Sequence, residues 1–326
     1  PGTGSSGWEA ALTNTLSKGD KVLSARFGQF SHLWIEMCKK LHIDVEVVDV
    51  EWGSGTPHDE FERILSEDSN HEIKAVLVTH NETSTGVTND VKATRDLLNK
   101  LNHPALLFVD GVSSIGSIKF EMDSWGVDVA VSGSQKGFML PAGLAISCVS
   151  QKALEIAKSA NLPRAYFDYH DMLKINETGY WPYTNPMPLL RGLREALIMM
   201  NEEGLDHIYS RHLFLAQAVQ KASEAWGLNL CAKDPSLYSN TVTAIMVPEG
   251  IDSTDIVKTA YNKYNTSFGG GLNKVAGKLF RIGHLGDLNS TMILGAISTA
   301  ELAMYDVGIK FELGSGVAAA IKHLKV

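Results

Sequence analysis

Apolar residues along this chain follow two spacings in turn, and that alternation outlines a fold before composition is considered. Short apolar runs bounded by polar residues or glycine predict strands at 21–26, 45–50, 74–79, 105–109, 127–131 and 143–149. Between them, apolar positions three and four apart predict helices at 8–16, 30–41, 60–65, 90–100 and 151–160. Strands that alternate with helices imply an α/β unit with a mostly parallel sheet flanked by helices. The stretch 166–184, which contains Tyr180-Trp181-Pro182-Tyr183-Thr184, is too aromatic for a plain linker and reads as a loop against a partner surface. Helices are expected at 188–201 and 207–226. Beyond about 235 the pattern changes to strand 241–247, helix 254–264, strand 278–282 and helix 290–305. We therefore expect a large domain over 1–234 and a smaller α+β domain over 235–326.

Several predicted strands end in small or polar clusters, at 79–86, 110–114 and 132–136, and a further one at 4–7 opens the first helix. Ligands of such sheets sit outside the carboxyl ends of the strands, so the clusters should converge on one crevice. Lys136 follows Ser132-Gly133-Ser134-Gln135. By itself it reads first as a solvated lysine in a turn, and otherwise as a desolvated amine able to attack a carbonyl as a Schiff-base nucleophile. Asp110 ends the apolar strand 105–109, and a poorly solvated carboxylate there calls for a cation, a metal or a protonated ring nitrogen. Gly4-Ser5-Ser6-Gly7 at a helix start reads either as an ordinary cap or as a phosphate cradle. Phe27, at a strand-to-helix junction, belongs to the core or lies flat on a cofactor ring. Arg281, between Phe280 and Ile282, faces solvent or grips a carboxylate.

Composition narrows the partners. With 29 basic and 37 acidic residues the net charge is -8, and no basic cluster suits nucleic acid. No apolar run reaches the roughly 18 residues that a membrane helix needs. Cys38, Cys148 and Cys231 are odd in number and set in apolar contexts, which predicts buried, reduced thiols and a reducing compartment. His284 and Asp287 lack the rest of a metal set, so no metal is expected.

The segments GTGSSGWEAAL, HNETSTGV, VDGVSSIGS, SGSQKG and FRIGHLG, in this order, resemble the class V, fold-type I pyridoxal-phosphate aminotransferases, and most of all their serine–glyoxylate and alanine–glyoxylate group. The resemblance covers essentially the whole chain. It implies pyridoxal 5'-phosphate held as a Schiff base by Lys136, which then shuttles the substrate's Cα proton. It also implies Asp110 on the pyridinium nitrogen, Gly4, Ser5 and Gln135 on the phosphate, Phe27 and Val112 on the two ring faces, and Thr83 near the phenolic oxygen. Thr184, with Trp181 beside it, would reach the cofactor of a neighbouring subunit in a homodimer with shared active sites, and Arg281 would clamp the α-carboxylate. The implied reaction moves an amino group from a small L-amino acid to glyoxylate, giving glycine and a 2-oxo acid. Serine is the preferred donor, with alanine or aspartate open. Lyase chemistry and a catalytically silent protein of the same fold are the alternatives. The resemblance also places family sequence, with pocket and dimer contacts, ahead of Pro1. It suggests a cytoplasmic setting for a bacterial chain and a peroxisomal one for a plant-like chain.

Overall fold

The computed structural model describes residues 1–325; Val326, the last residue of the second expected domain, lies outside them. In chain order the first elements are α1 (Gly4–Thr15), β1 (Lys21–Arg26), α2 (Gln29–Lys40), β2 (Asp44–Asp49), α3 (His58–Glu67), β3 (Ile73–Thr79), β4 (Asn81–Glu82), β5 (Val87–Thr88), α4 (Val91–Lys100) and β6 (Leu106–Asp110). They continue with β7 (Val129–Gly133), β8 (Ala145–Val149), α5 (Gln151–Ala157), α6 (Tyr169–Asn176), α7 (Met187–Glu203) and α8 (Leu205–Ala225). The last are β9 (Val242–Met246), α9 (Ser253–Tyr264), β10 (Gly269–Gly270), β11 (Leu279–Gly283), α10 (Ser290–Asp306) and α11 (Ser315–Leu324).

Six strands form the main sheet in the order β2-β1-β3-β6-β7-β8. All neighbours run parallel except β7 and β8, which pair antiparallel. The central strands are apolar on both sides because each face meets its own core. Leu77, Leu106, Phe108, Val129 and Val131 point into one core with Trp8, Leu12 and Trp34. Their neighbours Val76, Val78, Leu107, Val109 and Ala130 point into the other with Phe61, Val91 and Leu98. Register then decides what the strands deliver: Thr79 pairs with Asp110, and Asp110 with Val131, so β3, β6 and β7 end at nearly one level.

A second sheet, β10-β11-β9, is antiparallel and carries its own core. That core joins Ile245, Phe280 and Ile282 to Ile256, Ile297 and Met304, and α8 buries Leu215, Ala218, Val219 and Ala222 in it.

Three features depart from the sequence expectations. The aromatic stretch is not all loop: Asp168 accepts the amides of His170 and Asp171 and so caps α6, whose weak apolar stripe hid it from periodicity. The polar cluster after β3 folds as a tight two-stranded hairpin, β4 with β5, which the strand spacing does not announce. Of the three cysteines, Cys38 and Cys231 are buried, whereas Cys148 is exposed, because its strand β8 is the last of the sheet and one side of it is uncovered. All three are free. Among the described residues no helix is long and apolar enough to cross a membrane, and no cluster of ligating side chains could hold a metal ion.

Candidate active site

The polar clusters meet where β3, β6 and β7 end. Lys136 lies three residues past β7 in a turn closed by Met139 N–H to Lys136 O at 2.9 Å and Leu140 N–H to Ser134 O at 3.0 Å. The turn forces Met139 to φ 59, a left-handed conformation that a long side chain adopts only under constraint. It also presses Gly137 against the Ile115 carbonyl, where a Cβ would collide. The backbone at Lys136 is thus held in a fixed turn. Burial lowers its pKa, and the positive charge of Arg281 lowers it further, while Asp110 acts in the opposite direction. Those are the conditions for a nucleophilic amine.

Asp110 is 4% exposed. One amide reaches it, Val112 N–H to Oδ1 at 2.9 Å, and burial pushes its pKa up to about 7. No lysine, arginine or histidine among the described residues pairs with it. A carboxylate so placed gains strongly from a buried N–H cation. Val112 is packed so closely against Gly4 that any side chain at Gly4 would strike it, which brings the start of α1 over the end of β6.

At that start, the Ser6 hydroxyl is already engaged. It donates to Thr3 O at 2.7 Å and accepts from Thr3 N–H at 2.9 Å, closing the helix cap. Ser5 is exposed, and the amides of Gly4 and Ser5, as the first of the helix, have no intrahelical acceptor. Ser6 therefore caps the helix, while the Gly4 and Ser5 amides, free of intrahelical acceptors, point to where an anion could bind. Gln135 is partly buried, and its Oε1 is buried without a hydrogen-bond partner.

Arg281 on β11 crosses from the second sheet to the same place. Its Nε donates to Gly270 O at 3.0 Å and its Nη1 to Thr83 O at 3.0 Å. Two donors pin the guanidinium and Nη2 stays free, which suits a carboxylate. Thr83 Oγ1 donates to Ser113 Oγ at 2.8 Å.

Lys136, Asp110, Val112, Gly4, Ser5, Gln135, Thr83 and Arg281 are thus drawn together. Phe27 is not among them. It is 1% exposed and enclosed with Leu23, Ala25 and Phe61, so stacking by Phe27 needs a ring face that this arrangement leaves inside the core. Thr184 is exposed, and Trp181 is half-buried, lining with Pro1, Ser6 and Gly7 a cavity between α1 and α6.

Sequence reasoning gave no role to Glu82, which is fully buried within the hairpin. The one signal was an acidic residue in a polar cluster with no lysine or arginine in it. His284 likewise has no free nitrogen: Nδ1 donates to Asn240 O at 3.0 Å and Nε2 accepts from Thr243 Oγ1 at 2.8 Å. Burial lowers its pKa to about 4.

These features can be tested against pyridoxal phosphate. Its ring nitrogen needs a buried anion, its aldehyde an unprotonated amine, and its phosphate free amides at a helix start. Asp110, Lys136 and the Gly4–Ser5 amides meet those needs, so the residues fit the group.

The Aminotransferase class-V family profile matches residues 2–271. A serine–glyoxylate aminotransferase of Hyphomicrobium methylovorum is 58% identical over 99% of this chain and 80% of its own length. An L-aspartate–glyoxylate aminotransferase of Paracoccus denitrificans is 55% identical over 100% of this chain and 82% of its own. Among solved structures, pyridoxamine-pyruvate aminotransferase from Mesorhizobium loti superposes with a TM-score of 0.92 at 28% identity, covering 99% of this chain and 83% of that one. A profile spanning most of the chain, relatives above half identity and a site with this chemistry agree: the chain belongs to the class V aminotransferases.

Proposed function

We propose that the protein is a pyridoxal-phosphate-dependent aminotransferase that moves the amino group of a small L-amino acid, serine by preference, to glyoxylate. The observation that carries this reading is the meeting of a pinned arginine, a lysine whose pKa burial lowers and a buried carboxylate without a basic partner among the described residues at one crevice. When bound, pyridoxal phosphate supplies an aldehyde that exchanges amines with the substrate and a ring that withdraws charge from the substrate's Cα. Lys136 holds that group and, once its amine is free, takes the Cα proton and returns it. Asp110 keeps the ring nitrogen protonated. Gly4, Ser5 and Gln135 bind the phosphate, Thr83 lies by the phenolic oxygen, and Val112 covers one ring face. Arg281 takes the α-carboxylate of amino acid and oxo acid alike and so fixes the Cα–H for transfer.

The relatives act on glyoxylate with either serine or aspartate, which keeps the donor within small amino acids. Among the described residues the cations brought to this cluster are Lys136 and Arg281, a charge that one α-carboxylate balances, and this favours a neutral or small donor. Thr184 and Trp181 are assigned to the cofactor of a neighbouring subunit. Thr184 is exposed, and α7 separately exposes Leu197, Ile198 and Met199, an apolar patch that supports a homodimer. We further divide the chain into a cofactor unit, 1–234, and a smaller unit, 235–326, with α8 shared between them. The three free thiols fit a reducing compartment.

The deciding experiment is a half-reaction. Serine, alanine and aspartate are added singly to cofactor-loaded protein, the visible band is followed as it bleaches, and glyoxylate is then supplied. Fastest bleaching with serine and full recovery with glyoxylate are expected. Failure of glyoxylate to restore the band would reject the acceptor.

A further inference from the structure

Glu82 is 0% exposed, and no lysine, arginine or histidine among the described residues lies at ion-pair distance from it. Its charge is held by N–H and O–H donors alone. Oε2 accepts from Phe30 N–H at 3.1 Å and Ser31 N–H at 3.0 Å, and Oε1 from Ser84 N–H at 3.2 Å and Ser84 Oγ at 2.7 Å. Ser84 Oγ in turn accepts from Gln29 N–H at 2.9 Å. The first three amides of α2, which a helix leaves without acceptors, are thus satisfied from the hairpin. Gly28 is part of the fit, since a side chain there would collide with the Glu82 carboxyl group.

A cap of this kind could be built more cheaply from a local serine or aspartate, as at α4 and α5. Burying a carboxylate to do it costs several kcal/mol before its hydrogen bonds are counted, so the placement calls for a second purpose. Residue 83 supplies one. Its carbonyl lies between the two anchored residues, Glu82 and Ser84, and accepts Arg281 Nη1. The guanidinium comes from the β10-β11-β9 sheet, and this bond ties it to the β4–β5 hairpin that follows β3.

We propose that Glu82 is a positioning residue for substrate: by fixing the hairpin to the start of α2 it sets the Thr83 carbonyl, and through that carbonyl the orientation of Arg281 toward the substrate carboxylate. The proposal rests on the reading of Arg281 given above. The charge of Glu82 also bears on Arg281 directly, raising its pKa against the lowering that burial causes. An amide at this position would point an NH2 group at donors that need an acceptor, so glutamine breaks the arrangement while keeping its volume.

The test uses cofactor-loaded, full-length protein. Glu82→Gln is expected to raise KM for amino donor and glyoxylate together by about tenfold, with a smaller change in kcat, as for loss of one charged hydrogen bond. The dissociation constant of 2-aminoisobutyrate, which has both substrate groups but no Cα hydrogen, should rise equally when read from the visible absorption of the bound cofactor. Cofactor affinity should stay within about twofold, and Glu82→Asp should recover part of the loss. The decisive comparison repeats Glu82→Gln in an Arg281→Ala background, where its effect on 2-aminoisobutyrate should vanish because the residue it acts through is gone. Full additivity in that cycle, or a Glu82→Gln protein that loses stability with unchanged KM and affinity, would overturn the proposal. If Glu82→Gln fails to fold, Ser84→Ala removes one leg of the same network and should shift affinity in the same direction, by less; unchanged affinity would again overturn it. A wild-type protein that binds no amino acid at all would instead reject the reading of the site, a separate outcome.

Discussion

Asp110 and Glu301 are both nearly inaccessible, at 4% and 3% exposed, yet their surroundings differ in kind. Glu301, in the second core, is surrounded by donors: Trp226 Nε1–H at 2.9 Å, Gly316 N–H at 2.8 Å and Val317 N–H at 3.1 Å on Oε1, and Gly314 N–H at 2.8 Å on Oε2. It closes the start of α11 and ties it to α8 and α10. Asp110 has a single amide, from Val112, and its pKa is raised to about 7. Two carboxylates at equal burial thus report opposite purposes. A fully satisfied one stabilises the fold, and an under-satisfied one has been left open for something that is not protein. Lys136 and Gln135 follow Asp110, with a depressed amine and an unpaired oxygen. The crevice is where the molecule tolerates incomplete bonding, and the second core is where it does not.

Substitutions can break that contrast in graded steps. The largest effect is expected for Lys136→Ala, with turnover down at least about a thousandfold and the visible band of the bound cofactor lost. Thermal melting of the cofactor-free protein should be unchanged or raised, since a buried cation is removed. A cofactor-supplied wild-type protein without any such band would sink the assignment. Arg281→Ala comes next. KM for every carboxylate substrate should rise about 100-fold while cofactor absorbance is kept, the cost of truncating one side of a buried charge pair; loss of cofactor instead would move Arg281 out of the substrate site. Glu301→Gln should do the reverse, lowering stability in chemical denaturation by about 2 kcal/mol and leaving KM untouched.

The smallest effect is one of pH on the cofactor-free protein. Burial lowers the pKa of His80, His212 and His284 to about 4 each, so between pH 4 and 6.5 the unfolded chain binds more protons than the folded one. Their contribution to stability is full above pH 6.5 and is lost as pH falls toward 4. Asp110, raised to about 7, acts with the opposite sign: its contribution is present at low pH and is lost as pH rises through 7. These three histidines, with His103 lowered by burial in the same sense, outweigh Asp110 and predict that stability increases with pH over this window. Asp110→Asn, by removing the opposing group, should make the increase steeper, and denaturation midpoints from pH 4 to 7 would show it.

The main sheet was legible because parallel strands with a core on each face must be apolar almost throughout, as 75–78 and 106–109 are. Asp110 stood out for the same reason, since a charge at the end of such a run is poorly solvated. Lys136, beyond four small or polar residues, read by itself first as a solvated lysine and gained its role only from the ordered motifs. Elements with little burial were not. α6 has one buried residue, Tyr169, and its cap at Asp168 is its clearest mark, while β4 and β5 are two residues each and hold together through side chains far apart in sequence. Cys148 was misjudged because an apolar strand context does not reveal which strand ends the sheet.

By itself, then, the sequence determined the alternation of strand and helix, the charges at strand ends and the ordered motifs that mark the family, because each of these is local or is carried by order along the chain. Tertiary structure decided which of those groups share one crevice, which hydroxyl at the first helix is already in use, that Phe27 faces inward, and that Glu82 and Arg281 meet on either side of the Thr83 peptide. Those outcomes depend on burial and on hydrogen bonds between residues as far apart as 83 and 281. Such distances have no imprint on local spacing.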